Sequence, residues 1–170
     1  MILHRVVFAI TLTCLALLGQ TAHKSHLTVT PDQLKWGPLP AGAVRGTPPQ
    51  GFGAPRAEIA VIEGDPTKPG LPFVIRIKAP DGEKVAPHWH PADEHLTILQ
   101  GTFALGMGEK FSESEGTELT AGSYATVSKR MWHFGRIKGE TIIQVHGIGP
   151  FVINFGPMTS AKPAPKPKSE

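Results

Sequence analysis

Two histidines and a carboxylate stand close together near the middle of this 170-residue chain. His88 and His90 are two residues apart, and Glu94 follows four residues later. Because alternate side chains of an extended strand share a face, we expect these three on one side and His95 on the other. Imidazole and carboxylate groups are the ligands that divalent transition metals use. The spacing therefore predicts a metal site facing the interior of a β-barrel, with His95 left as a structural or surface residue.

The segments around these residues have the pattern of short β-strands separated by turns rich in Gly and Pro. Residues 71–79, for example, alternate apolar and polar side chains, as is typical of a half-buried strand. The predicted strands are residues 57–63, 71–79, 82–101, 102–107, 123–127, 132–137, 141–146 and 151–155. Gly101 is expected to end the histidine-bearing strand and begin a hairpin. No segment after residue 22 has helical periodicity, so the sequence predicts one all-β domain, an antiparallel sandwich or barrel.

The histidine-bearing strand resembles the first motif of the cupin family. That motif is a Gly, five residues, His-x-His, three or four residues, Glu, six residues and a second Gly. Its fixed positions are occupied here by Gly82, His88, His90, Glu94 and Gly101. Residues matched at set intervals are more specific than an isolated pair of histidines, and the resemblance covers roughly residues 70–156.

The second motif of the family is matched in part. It reads Gly, five residues, Pro, one residue, Gly, two residues, His, three residues, Asn, and Gly122 and His133 stand at the required separation. Ser128, Arg130 and Ile137 replace the Pro, the second Gly and the Asn. The resemblance implies a single-domain jelly-roll β-barrel that binds one divalent metal through four side chains: His88, His90, Glu94 and His133.

This ligand set suits Fe, Mn, Ni, Cu or Zn and leaves positions open on an octahedral ion for water, dioxygen or a bidentate organic ligand. Two further residues are candidates for proton transfer. Tyr124, the only tyrosine, lies near the second motif, and His146 closes an apolar strand. Glu94 is a third candidate, because the glutamate of small cupin dioxygenases is thought to loosen from the metal and act as a base.

Two classes of function fit these residues. The first is a metal-dependent, dioxygenase-like oxidoreductase that acts on a small organic molecule. The alternative is a non-catalytic cupin that binds a metal or a small ligand, or acts as a sensor, since fold does not imply function. A sugar isomerase is a third possibility, but it would require more polar groups on the inward face than the sequence supplies.

The N-terminus has the pattern of a secretory leader. A short basic start precedes an apolar run over residues 6–18, which is too short to span a bilayer comfortably. Residues 1–22 are therefore predicted to be a signal peptide, which places the mature protein in the periplasm or outside the cell without a membrane anchor. An uncleaved anchor is the alternative, and a lipoprotein through Cys14 is disfavoured by the residues around it. Cys14 is the only cysteine, so the mature chain would hold no disulfide.

The remaining chain divides by composition. Residues 23–57 form an arm rich in Gly and Pro, residues 58–156 the barrel, and residues 157–170 a Lys/Pro-rich tail expected to be disordered. Residues 23–160 hold 13 basic and 13 acidic side chains, so the net charge of +3 comes from the ends and nothing favours binding to nucleic acid. The resemblance implies a homodimer, for which the arm is long enough to reach a partner.

Overall fold

A computed structural model describes residues 26–158, which form nine β-strands and one short 3₁₀ helix, Pro31–Gln33. The strands are β1 (Val44–Arg45), β2 (Glu58–Gly64), β3 (Pro72–Ala79), β4 (Lys84–His88), β5 (Glu94–Met107), β6 (Thr117–Thr120), β7 (Tyr124–Val127), β8 (His133–Ile148) and β9 (Ile153–Asn154). No helix within residues 26–158 is long and apolar enough to cross a membrane. The predicted signal peptide and nearly all of the predicted tail lie outside the described residues.

The two longest strands, β5 and β8, run antiparallel along almost their whole lengths and organise the sheet. The first half of β5 pairs with the second half of β8 and with β7, and its second half pairs with the first half of β8 and with β6. On its other edge, the second half of β8 pairs with β3, and β3 pairs with β2, which completes one wall. The first half of β8 pairs with β4, which completes the other wall. Each long strand thus contributes to both walls of a jelly roll, and the predicted all-β fold class is confirmed.

Both long strands bend at a glycine with a positive φ angle. Gly101 has φ +73° in β5 and Gly139 has φ +71° in β8. A Cβ atom on Gly101 would lie 2.6 Å from the carbonyl oxygen of Glu140 and 2.8 Å from Cα of Thr141. Gly101 is therefore required both for its backbone conformation and for the close approach of the neighbouring strand.

Because of these bends, two pairs of strands that the sequence predicted as separate are each continuous. Gly101 does not begin a hairpin, because β5 continues through it to Met107 with shifts of register on either side. The strands predicted at residues 132–137 and 141–146 are the two halves of β8. A glycine at positive φ serves a bend within a strand as well as a tight turn, so composition alone could not distinguish them.

The predicted strand 82–101 is also interrupted. β4 ends at His88 and β5 begins at Glu94, and the residues between them form a bent connection in which Trp89 pairs with Asn154. The convergence of the ligand side chains therefore comes from two strand ends and a connection rather than from one regular strand.

The space between the walls is filled by apolar side chains from both long strands and their neighbours. Ile75 and Ile98 are completely buried, and Leu96 and Val145 nearly so. Because burial of each such side chain stabilises the fold by roughly 1.5–3 kcal/mol, this core holds the walls in register.

The arm joins the edges of the two walls. Gly37 exchanges backbone hydrogen bonds of 3.0 and 2.8 Å with Ile59 of β2. Farther along the arm, β1 pairs in parallel with β9, which contacts Trp89 next to β4. Between these attachments, Leu39 packs against the core. The arm thus crosses the open side of the jelly roll and covers part of its interior.

Substitution of Gly82 and of Gly101 separates two contributions to stability, the positive φ angle and the close packing of a neighbouring strand. Gly82 has φ +72° with nothing within 4 Å of a Cβ atom, so Gly82→Ala should lower the free energy of unfolding by about 1–2 kcal/mol. Gly101→Ala should cost about 1–3 kcal/mol more, because the methyl group meets backbone atoms of β8. Urea unfolding of both variants measures the difference, and equal losses would contradict the close packing at Gly101.

Candidate metal centre

The four predicted ligands lie together at one end of the interior. His88 is the last residue of β4, His90 lies in the connection, and Glu94 and His133 begin β5 and β8. All four side chains are buried. One ring nitrogen from each histidine lies within 4.8 Å of the others, as expected for three ligands of one ion. An oxygen of Glu94 lies 3.5 Å from Nε2 of His133 and 3.7 Å from Nε2 of His90.

Each of the three histidines is oriented by a hydrogen bond to a backbone carbonyl group. Their Nδ1 atoms lie 2.7, 2.7 and 3.1 Å from the carbonyl oxygens of Ala86, Val152 and Met131, for His88, His90 and His133 respectively. A carbonyl oxygen can only accept, so each Nδ1 carries the proton and each Nε2 keeps its lone pair. This is how a metal-binding histidine is fixed by its surroundings.

The Nε2 atom of His90 provides a test of whether a metal fits. Among the described residues it is buried and has no hydrogen-bond partner. Such an atom is destabilising in a folded protein unless water or an ion satisfies it. An imidazole lone pair is a ligand for Fe, Mn, Ni, Cu and Zn, so the residues present fit a divalent transition metal.

The electrostatics of the site favour the protonation states that bind metal. Burial, together with the nearby His133 and His90, lowers the pKa of His88 well below the ordinary 6.5. Burial also lowers the pKa of His90, although Glu94 acts in the opposite direction. Burial alone would raise the pKa of Glu94, but the neighbouring His90 and His133 more than offset it and leave the pKa below 4.5. These directions favour neutral imidazoles at His88 and His90 and an ionised carboxylate at Glu94 at neutral pH.

The turn before His133 retains its shape although its sequence departs from the family motif. The N–H of Met131 donates to the carbonyl of Ser128, and Arg130, at the position of the motif's second glycine, has φ +64°. Arg130 thus takes the left-handed conformation that glycine would adopt. Its N–H donates to the carbonyl of His90 at 2.8 Å, which ties the two motifs together beside the ligands.

The candidate ligand side chains open into a cavity of about 100 Å³. Its walls are mostly apolar, with Phe151 stacked on His90 at 5.1 Å between ring centroids and Phe155 near His88 at 6.2 Å. Arm residues, among them Leu39, line part of it. The interior therefore offers a polar end, where the ligands converge, and an apolar body.

A second buried carboxylate in this cavity was not foreseen from the sequence. Glu83 lines it and accepts a hydrogen bond of 2.5 Å from Nε of Arg56 and one of 3.2 Å from the backbone N–H of Arg56. The ion pair fastens the arm to the start of β4. No local pattern could have indicated it, because the two residues are 27 positions apart and meet only when the arm docks.

Tyr124 and His146 lie away from this cavity. Tyr124 is 56% exposed, and its hydroxyl group lies 2.8 Å from Nδ1 of His95. His146 stacks on His95, directly opposite it in the pairing of β5 with β8. Because neighbouring residues of a strand point to opposite faces, His95 is on the outside where Glu94 is inside. The proton-transfer roles predicted for Tyr124 and His146 at the metal do not fit this placement.

Comparison with solved structures gives the class of fold. An RmlC-like cupin from Shewanella frigidimarina aligns with a TM-score of 0.50 at 13% identity, over 72% of this chain and 89% of that one. The polyketide cyclase RemF from Streptomyces resistomycificus aligns with a TM-score of 0.53 at 13% identity, over 72% and 79%. An acetylacetone dioxygenase from Acinetobacter johnsonii gives 0.52 at 16% identity, over 75% of each chain.

These similarities establish that the chain has the cupin fold. At such low sequence identity they do not establish the activity, since one fold carries many functions. No protein-family model and no curated protein matches the sequence.

Binding of a divalent metal should stabilise the folded protein. At a free metal concentration about one hundred times Kd, the free energy of unfolding should rise by about 2.7 kcal/mol, and a chelator should reverse the gain. The measurement is urea unfolding of untagged protein with and without metal. His133→Gln should lower the gain, whereas His26→Gln, at an exposed position, should keep it in full. A gain of equal size in both variants would place the metal elsewhere.

The metal-free protein should lose stability as the pH falls below about 6.5. The unfolded chain takes up protons on His88 and His90 near their ordinary pKa of 6.5, whereas the folded chain does so only at lower pH. Stability is therefore fully present above this pH and declines toward the lowered pKa values. Urea unfolding from about pH 8 to about pH 5 should show this slope, and His88→Gln should reduce it. An unchanged slope in that variant would rule out His88 as its source.

Proposed function

We propose that this protein is a mononuclear metal-dependent oxidoreductase, similar to a dioxygenase, that acts on a small organic molecule. The observation that carries the proposal is the convergence of three buried imidazole Nε2 atoms and the Glu94 carboxylate at the end of an internal cavity. Three of these ligands are held in the metal-binding tautomer by backbone carbonyls, so the site is organised before any ion enters.

The metal would be held by His88, His90, His133 and Glu94. A bound divalent ion of this kind would polarise oxygen atoms of a substrate and, if it is Fe or Cu, allow reaction with dioxygen. The group of metal-binding residues within the described chain contains no fifth side chain beyond these four. On an ion that takes six ligands, such as Fe or Mn, four side chains would leave two positions for a substrate, and this supports a catalytic site.

Glu94 is the residue proposed to move a proton. Its carboxylate is ionised at neutral pH, lies at the cavity and is within 4 Å of two histidines. A carboxylate in that position can accept a proton from a carbon or oxygen atom of a substrate bound next to it. Within the described residues, Glu83 and Lys84 are the other charged side chains at the cavity, and Glu83 is engaged by Arg56.

The cavity supports a small and largely apolar substrate. Its volume of about 100 Å³ is smaller than the engineered apolar cavity of about 150 Å³ that admits benzene. Phe103, Phe151 and Phe155 line it, and such walls offer few partners to the hydroxyl groups of a sugar. A compact molecule that chelates a metal through two oxygen atoms and carries an apolar body, such as a small β-diketone, has the matching chemistry. One structural neighbour is named as an acetylacetone dioxygenase.

The proposal includes the setting expected from the sequence. A leader at residues 1–22 would export the protein to the periplasm or beyond, and the balanced charge of residues 23–160 gives no support to a nucleic-acid partner. A homodimer is proposed as well, supported by the apolar Val61 and Leu71, which are exposed along the β2–β3 edge.

Oxygen consumption tests the reaction. Untagged protein loaded with Fe(II) or Cu(II) should consume dioxygen when supplied with β-diketones, and Glu94→Gln should reduce the rate at least 100-fold, within the range that one acid–base group contributes. Glu118→Gln, an exposed carboxylate on β6, is the matched control and should keep full activity.

Absence of uptake with every redox metal and substrate, in protein that still binds one ion at these four ligands, would favour the non-catalytic alternative. Metal analysis of the protein purified without an affinity tag identifies the native ion and shows whether the four ligands hold it. Loss of that ion in His133→Gln but not in His26→Gln would assign it to this site.

A further inference from the structure

The fold brings together two of the histidines that lie outside the candidate metal centre. His95 of β5 and His146 of β8 face each other directly across the antiparallel pair. Their rings are nearly parallel, with centroids 4.9 Å apart and an interplanar angle of 13°. Both are partly exposed and line a groove on the outer face of the wall. We call them the outer histidine pair.

The hydroxyl group of Tyr124 orients one member of this pair. It lies 2.8 Å from Nδ1 of His95, reaching across from β7, which pairs with β5 on the side away from β8. A tyrosine hydroxyl group can donate or accept, and when it accepts from Nδ1, Nε2 of His95 keeps its lone pair. Each of the three inner histidines also has its Nδ1 atom bound to an oxygen. A histidine fixed through one nitrogen is prepared to bind a cation through the other.

The groove supplies what an open metal site needs. Side chains directly opposite in an antiparallel pair have Cβ atoms roughly 4.5–5.5 Å apart, so two imidazoles there can reach one ion. Asp93 lines the same groove, and its Oδ1 accepts a hydrogen bond of 2.7 Å from the N–H of Lys129. The Asp93 carboxylate thus adds a negative charge to a groove that Lys129 also lines. The groove is open to solvent, so water can complete the coordination.

We propose that His95 and His146 form a second metal site on the outer face of the wall, with Tyr124 positioning His95. Imidazole pairs favour borderline ions, so the site should take Cu(II), Ni(II) or Zn(II) rather than Mg(II) or Ca(II). Glu94 and His95 are adjacent on β5 and point to opposite faces, so the two sites lie back to back and share no ligand. The outer site does not depend on the proposed reaction.

Copper binding to the untagged full chain tests the second site. Equilibrium dialysis with Cu(II) should give two tightly bound equivalents for the wild type and one for the double variant His95→Gln/His146→Gln. The double variant His88→Gln/His90→Gln should keep the outer equivalent, and its paramagnetic resonance spectrum should show coupling to two nitrogen atoms. His26→Gln is the matched control for an exposed histidine and should bind as the wild type does.

Tyr124→Phe separates a positioning role from simple packing. It should weaken the outer equivalent by about 10-fold or more without changing the inner one, because loss of an outer partner commonly lowers metal affinity 10–100-fold. Should His95→Gln/His146→Gln bind the same number of equivalents with the same affinities as the wild type, the outer site is disproved. If the wild type instead binds a single copper ion, and His95→Gln/His146→Gln abolishes that binding, the proposed function is overturned and the outer site is supported.

Discussion

The candidate metal centre depends on hydrogen bonds from three imidazoles to three backbone carbonyls. The carbonyls of Ala86, Val152 and Met131 belong to β4, to the segment before β9 and to the turn before β8. Each accepts an Nδ1 proton and so turns an Nε2 lone pair inward. Because the acceptors lie on separate segments, the ligand geometry exists only when those segments are assembled. Metal binding at this site would therefore be linked to folding.

Much of the architecture follows from local patterns in the sequence. Alternating apolar residues locate β3, and the spacing between Gly82 and Gly101 selects the residues that the structure brings together at one end of the cavity. The sequence does not indicate where strands end. Gly101 and Gly139 occur inside long strands because a positive φ angle serves a bend as well as a turn. Which of the two forms depends on pairing between β5 and β8, which no short window contains.

The sequence also did not reveal which face of the sheet some side chains point to. The sequence suggested that Tyr124 and His146 could serve the metal, yet both are on the outer face. Strand alternation relates residues within one regular strand, but bulges and breaks reset it, and the register between strands decides which side chains meet. Glu83 and Arg56 illustrate the same limit, since their ion pair depends on the path of the arm.

The parallel pairing of β1 with β9 joins the beginning and the end of the described chain. β1 and β9 form a two-stranded sheet of their own, and each is only two residues long. Neither is therefore expected to be stable without the other. Val152, which orients His90, immediately precedes β9. During synthesis from the N-terminus, the β1 part of the arm therefore has no strand partner until β9 has emerged. The same late segment carries the carbonyl that orients His90, so the attachment of β1 and the orientation of this ligand both depend on it.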